Sequence, residues 1–171
     1  IFFGLMLTEK GPKVLEYNAR FGDPEAQVVL SLLRTDLLTV MRAVVSGTLD
    51  RVPVEWSPES ACCLVLASNG YPQKYPTGFP ISGLERGQLP GGGATVYHAG
   101  VKAREDGTLV TAGGRVLGIT ATAPTLAEAV GRAYRAADGI SFEGLRRRSD
   151  IGRRALAAQR STDDGRETKW L

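Results

Sequence analysis

Leu15-Glu16-Tyr17-Asn18-Ala19-Arg20-Phe21-Gly22-Asp23-Pro24-Glu25 is the stretch on which the fold turns. Up to Asn18 it alternates like a strand, and after Asn18 it changes to helix-start chemistry. In a strand, residues two apart share a face, so Glu16 and Asn18 point one way while Leu15 and Tyr17 are expected to enter an opposite packing layer. Asp23 can cap a helix, Pro24 suits its first turn, and Glu25 complements the positive end of the helix dipole.

Working outward, residues 1–8 and Lys13–Asn18 flank the turn-type cluster Glu9-Lys10-Gly11-Pro12 and read as an antiparallel hairpin. The helix that opens at Asp23 is expected to reach about Leu33. Asp36 caps a second one, whose Leu37, Val40, Met41, Val44 and Val45 keep helical spacing and which Gly47 stops. Residues 48–60, with Pro53 and Pro58 among polar neighbours, read as a connection and the place for a domain boundary. Beyond it, Ala61–Ser68, Thr95–His98, Val101–Arg104, Thr108–Thr111 and Arg115–Ala123 read as strands, with Glu105-Asp106-Gly107 as a hairpin turn. Thr125-Leu126-Ala127-Glu128 is a capping box opening a helix that Gly139 closes. A short strand at Ile140–Phe142, a last helix from about Asp150 and a polar, frayed end over 161–171 complete the pattern. The class is α+β, in two packed units.

Composition narrows the function. The longest apolar run, Ala61–Ala67, is far short of the roughly 20 residues a bilayer span needs. The apolar opening Ile1-Phe2-Phe3-Gly4-Leu5-Met6-Leu7 has no basic leader or cleavage site; it reads as a strand entered midway, with more chain expected ahead of it. Cys62 and Cys63 are adjacent, alternate across a strand and are poorly placed to bridge, so reduced core thiols and a cytoplasmic location are expected. The net charge of +3 comes with a late run of arginines, Arg146, Arg147, Arg148, Arg153, Arg154 and Arg160, that no nucleic-acid module or interleaved aromatics accompany. A basic nucleic-acid-binding domain is therefore the weaker alternative, and neither nucleic acid nor membrane is expected as a partner.

Glu16 and Asn18 make an oxygen-rich pair of the kind magnesium accepts, with water and nucleotide phosphates completing its shell. By itself such a pair reads more readily as a solvated polar strand face. Arg20, Gly22 and a helix start follow at once, however, bringing a cation, a close backbone approach and free N–H groups together, which suits anions. His98, the single histidine, has no evident partner and reads as a strand residue rather than a catalytic base. Gly113-Gly114-Arg115 reads as a tight turn with a surface arginine, or as a substrate or interdomain contact.

The string from Val14 to Gln27 resembles the signature of glycinamide ribonucleotide synthetase, also called phosphoribosylamine-glycine ligase, an ATP-grasp family. Ala67-Ser68-Asn69-Gly70-Tyr71-Pro72, Tyr97-His98-Ala99-Gly100, Gly113-Gly114-Arg115-Val116-Leu117 and Arg148-Ser149-Asp150-Ile151-Gly152 follow in the family's order, and the likeness extends from near residue 4 to about 157. Two departures stand out: Val101 where the family usually has Thr, and Gln73-Lys74 where it usually has Gly-Asp before Tyr75. Neither touches the metal pair.

The resemblance implies residues 1–52 as the C-terminal piece of an ATP-grasp domain, 53–160 as the family's C-terminal domain and 161–171 as a tail. It implies Glu16 and Asn18 as ligands of Mg2+ (or Mn2+), with ATP as co-substrate and glycine and 5-phosphoribosylamine as substrates in purine synthesis. It also implies that the N-terminal portion, with the lysines and glycine-rich loop that cover ATP, lies outside this chain, which alone is expected to be inactive. Glycine would attack the γ-phosphate of ATP to give glycyl phosphate, and the amine would then displace phosphate. Arg20 could hold the carboxylate or acyl phosphate and Asp23 could meet the amine, unless Asp23 is simply a helix cap. The other alternative is a non-catalytic packing module of a larger ligase.

Overall fold

A computed structural model describes residues 2–84 and 93–163. The architecture is α+β. Strands β1 (Phe2–Thr8) and β2 (Gly11–Asn18) form an antiparallel hairpin, and helices α1 (Glu25–Leu32) and α2 (Leu37–Val45) follow. Strands β3 (Ser60–Ala67), β4 (Ala94–His98), β5 (Val101–Ala103), β6 (Leu109–Thr111) and β7 (Arg115–Ala123) precede helices α3 (Leu126–Asp138) and α4 (Arg153–Asp163).

The centre is an antiparallel three-stranded sheet, ordered β3-β7-β4, with β7 in the middle. Helix α3 packs on one face, where Cys62, Leu64 and Leu66 of β3 join Leu117, Ile119, Ala121 and Ala123 of β7. Its own contribution is small: Ala129, Ala133, Ala136 and Ala137 recur at helical spacing and let the helix lie close to the strands. Leu64, Leu66, Leu117 and Ile119 are wholly excluded from solvent, and full burial of one such side chain is worth about 2–3 kcal/mol. Helix α1 packs against β3 and β7 as well. Cys63, one step out of phase with the core residues, feels the charges of Asp23 and Glu25 at the start of α1. The two thiols are thus buried, free and on opposite faces.

The local signals act as expected at several ends. Asp36 Oδ1 accepts from Thr39 N–H at 2.8 Å and caps α2, Gly47 follows its end at φ +66°, and Thr125 Oγ1 accepts from Glu128 N–H at 3.3 Å at the start of α3. Four expectations need correction. Asp23 does not cap α1: the N-cap position falls on Pro24, and the first turn closes through Ala26 N–H to the Gly22 carbonyl at 2.9 Å. Residues 140–142 make a single bridge, Ser141 to Ser82, because only one register position meets the opposing segment. The last helix starts at Arg153, after the positive-φ Gly152, rather than at Asp150, and it continues through Asp163; the rest of the expected tail lies outside the described residues. Finally, Leu15 and Tyr17 enter no packing layer. They are 64% and 67% exposed, Tyr17 meeting Phe3 edge-on across the hairpin with ring centroids 5.2 Å apart.

The connection after α2 folds back onto the end of α1. Arg34 N–H bonds to the Glu55 carbonyl at 3.0 Å, Ser57 N–H to the Leu32 carbonyl at 2.7 Å, and Leu33 bridges Trp56.

Candidate functional site

The hairpin register sets the Glu16–Asn18 face. Gly4 pairs with Glu16, Phe3 with Tyr17 and Phe2 with Asn18, while the one irregularity falls between Gly4 and Leu5, on the far side of Glu16. Alternation between Glu16 and Asn18 is therefore intact, and both side chains stand on one face. Gly4 matters here: a Cβ on it would come within 2.9 Å of Glu16 Cγ, so the bare glycine leaves the room into which the Glu16 side chain leans. Glu16 is exposed and Asn18 half-buried. A carboxylate and an amide oxygen side by side, one with a cleared path, fit magnesium, which takes one or two protein oxygens and keeps water or phosphate for the rest.

Arg20 and Asp23 go separate ways. Arg20 is exposed, and its Nη1 donates to the Phe21 carbonyl at 2.7 Å, at the edge of a hollow of about 430 Å³ lined by Ala19, Phe21, Gly22, Glu25 and Val29. Asp23 turns toward the central sheet. Its Oδ1 accepts from Gln27 Nε2 at 3.0 Å, its Oδ2 lies 3.3 Å from Arg115 Nη1, and its carbonyl accepts from the same Nη1.

Arg115, at the head of β7, is thus the link between the start of α1 and the sheet. Its Nε donates to the Tyr71 hydroxyl at 3.0 Å, and its guanidinium stands over the Tyr71 ring, 5.9 Å from the centroid. Partial burial works against its charge, but the Tyr71 hydroxyl and Asp23 more than offset this and hold it above the ordinary arginine range. The glycines of this region serve close approach. A Cβ on Gly114 would stand 2.1 Å from Tyr71 Cδ2, and one on Gly100 would stand 2.5 Å from Gly113 Cα. Both readings of Gly113-Gly114-Arg115 find a counterpart: the two glycines form a bend, and Arg115, 39% exposed, also reaches Asp23.

The residues that sequence reasoning did not join are Tyr71 and the strap 146–148. With Pro24, Arg115 and the outer end of β3 they surround a cleft of about 530 Å³. The strap is tied down: Arg146 and Ala67 exchange backbone hydrogen bonds of 2.8 Å, and Tyr134 donates to the Arg148 carbonyl at 2.7 Å and accepts from Ile151 N–H at 3.2 Å. Arg147 pairs with Asp138 at 2.5 Å and Arg148 with Asp150 at 2.7 Å, so much of the late arginine charge is met by carboxylates. His98 sits at the exposed end of β4, opposite Leu117. Among the described residues no three His, Cys, Asp or Glu side chains converge as a metal cluster, and no helix is long and apolar enough to cross a membrane.

The class is that of an α+β C-terminal domain whose central sheet holds the start of α1 through Arg115, beside a hairpin bearing an oxygen pair. Residues 61–154 match the phosphoribosylglycinamide synthetase C domain, and residues 1–26 match the ATP-grasp (A) domain of the same synthetase. The phosphoribosylamine–glycine ligase of Caldanaerobacter subterraneus is 50% identical over 151 residues, 88% of this chain and 35% of that protein. The Agrobacterium fabrum ligase is 46% identical over 160 residues, 94% of this chain and 37% of that protein. Among solved structures, the phosphoribosylamine–glycine ligase of Thermotoga maritima is 40% identical with a TM-score of 0.68, covering 87% of this chain and 36% of that one. The chain belongs to the phosphoribosylglycinamide synthetase family, and it spans about a third of the length of these relatives.

Proposed function

We propose that this chain supplies, within a complete ligase, the metal-holding strand edge and the C-terminal wall of a site that joins glycine to 5-phosphoribosylamine. The products are glycinamide ribonucleotide, ADP and phosphate, in cytoplasmic purine synthesis. The single observation that carries the reading is the Glu16–Asn18 pair, set on one face by the hairpin register and given room by Gly4, in a segment matched to an ATP-grasp domain.

Glu16 and Asn18 would hold Mg2+ or Mn2+, whose charge offsets that building on the transferring phosphoryl group. The other steps fall to the chain's side chains. Arg20, exposed and, among the described residues, bonded to its own loop carbonyl, can exchange that bond for the glycine carboxylate or its acyl phosphate, two oxygens that suit a guanidinium fork. Asp23 is held by Arg115 and Gln27; one face of its carboxylate can meet the incoming amine and take the proton it gives up as its nitrogen bonds to the acyl carbon and phosphate departs. This chain spans about a third of the relatives' length; with the ATP-covering part expected outside it, the isolated chain is expected to turn nothing over.

The test uses the complete enzyme containing this segment, with the rate measured against magnesium concentration. Glu16→Ala removes a charged ligand and is expected to cost about 4 kcal/mol, roughly a thousandfold. Asn18→Ala, losing a neutral ligand, should cost less. Tyr17→Phe, on the opposite face, should leave the magnesium dependence unchanged. Parent rates and parent magnesium dependence in both Glu16→Ala and Asn18→Ala would remove the metal from this strand.

A further inference from the structure

The contact between Arg115 and Asp23 does more than pair two charges. Arg115 Nη1 takes both the Asp23 carbonyl and, at 3.3 Å, Asp23 Oδ2, so one guanidinium nitrogen holds the backbone and the side chain of the same residue. The other carboxylate oxygen, Oδ1, accepts from Gln27 Nε2 at 3.0 Å. Bonds to both oxygens fix the plane of the carboxylate as well as its place. An ion pair whose side chains are 39% and 55% exposed adds little to stability, so stability does not explain the supports beneath this one.

Those supports begin at Tyr71. Its hydroxyl accepts from Arg115 Nε at 3.0 Å while the guanidinium stands over its ring, which sets the direction of the guanidinium. The ring is fixed in turn. It packs on the bare backbone of Gly114, where a Cβ has no room, and meets Tyr75 edge-on with centroids 6.1 Å apart. The turn that carries it is tied to the head of β7: Ser68 N–H and Oγ donate to the Gly114 and Gly113 carbonyls at 2.8 Å each, and Tyr71 N–H donates to the Ser68 carbonyl at 3.2 Å. Arg115 and Tyr71 belong to the segment matched to the C domain, whereas Asp23 belongs to the segment matched to the ATP-grasp domain. A rigid end of one segment thus aims a side chain of the other.

We propose that Arg115, locked by Tyr71, is a positioning residue for the amide-forming step. It holds Asp23 so that the lone pairs not engaged by Arg115 and Gln27 meet the incoming amine, and it acts through Asp23 rather than on the substrate. The proposal rests on the ligase reading above, in which the amine nitrogen bonds to the acyl carbon, the carbon–oxygen bond to phosphate breaks with its electron pair leaving on phosphate, and the amine's proton passes to Asp23. Catalytic groups need placing to within about 0.5 Å, and an error of about 1 Å can cost about a hundredfold.

Steady-state kinetics of the complete ligase containing this segment, with glycine, ATP and 5-phosphoribosylamine, test the proposal through a double-mutant cycle on Asp23→Asn and Arg115→Gln. Arg115→Gln should lower kcat about ten- to a hundredfold, with both KM values and the magnesium dependence within about twofold of the parent's. In the Asp23→Asn background the same change should lower kcat by less than about twofold, because no carboxylate is left to aim. Arg115→Lys, which keeps a charge without the fork, should recover part of the lost kcat. Tyr71→Phe, which keeps the ring and loses the hydroxyl, should lower kcat by about threefold. Melting temperatures of the Arg115 variants should stay near the parent's. Arg104→Gln is the control: it removes a guanidinium-to-carbonyl bond of 2.8 Å, to Gly78, beside the β5–β6 turn and should leave kcat in place. A parent kcat in Arg115→Gln, losses that multiply with those of Asp23→Asn, or a raised KM for 5-phosphoribosylamine at parent kcat would overturn the proposal; the last would make Arg115 a substrate contact. Any of these in an active, Glu16-dependent enzyme leaves the ligase reading standing. A complete enzyme without glycine-dependent ATP turnover would sink the ligase reading, and the proposal with it.

Discussion

Gly114→Ala is a one-methyl perturbation whose consequence can be worked from distances. The backbone at 114 is outside the left-handed region, so alanine is not strained by its own φ. The new Cβ would, however, lie 2.1, 2.7 and 3.0 Å from Tyr71 Cδ2, Cε2 and Cγ. Carbon atoms pack at roughly 3.5–4.0 Å, so one side must retreat by about 1.5 Å. It cannot easily be residue 114, whose carbonyl accepts from Ser68 N–H at 2.8 Å while Ser68 Oγ donates to the Gly113 carbonyl at 2.8 Å. The ring has to move, and such a shift breaks the 3.0 Å bond between Arg115 Nε and the Tyr71 hydroxyl. Overpacking costs about 1–3 kcal/mol, and water can replace part of the lost bond because Arg115 is 39% exposed. The expected total is about 2–3 kcal/mol, or roughly 5–10 °C in melting temperature. Urea unfolding of Gly114→Ala, Tyr71→Ala and the double variant measures it. In the Tyr71→Ala background the added methyl meets open space and should cost less than about 0.5 kcal/mol. A Gly114→Ala penalty that persists undiminished without the Tyr71 ring would refute the reasoning.

The buried thiols predict an alkaline loss of stability. Burial pushes Cys62 up to about 11 from 9.0, with Cys63 adding to it, and burial likewise raises Cys63. A raised acid favours its neutral form in the fold, so the contribution is complete below pH 9.0 and is lost as pH climbs toward about 11. Urea midpoints between those pH values should fall, and Cys62→Ala should flatten the fall; an unchanged slope would rule out that thiol. Limited trypsinolysis should cut the exposed hairpin at Lys10 and Lys13 well before Arg115 or Arg132, if residues from about 56 to 157 keep their own core. The reverse order of cutting would show that the core does not protect that stretch.

Much of this molecule was legible from the chain, for a physical reason: the signals are local. Strand patterning placed β2, β3 and β7 within two residues, Asp36 and Thr125 marked helix starts because a side-chain oxygen there reaches a backbone N–H three residues on, and strand alternation alone put Glu16 and Asn18 on one face. The ordered motifs carried the family as well. Asp23 shows where that logic stops. Its local chemistry favours a cap, yet its carboxylate and carbonyl are taken by Arg115, 92 positions away, an interaction that no local pattern announces. Leu15 and Tyr17 read as inward-facing, although alternation says only that a second face exists and not that anything covers it. The arginine cleft is the clearest case. In sequence, Arg146, Arg147 and Arg148 are an undivided basic run. Asp150 meets Arg148 from two residues away, but only the tertiary structure, by bridging Arg146 to Ala67 and bringing Asp138 at the end of α3 to Arg147, sets the three apart. Pairing between charges depends on distances that folding sets across the chain, whereas periodicity and capping depend on bonds a few residues long.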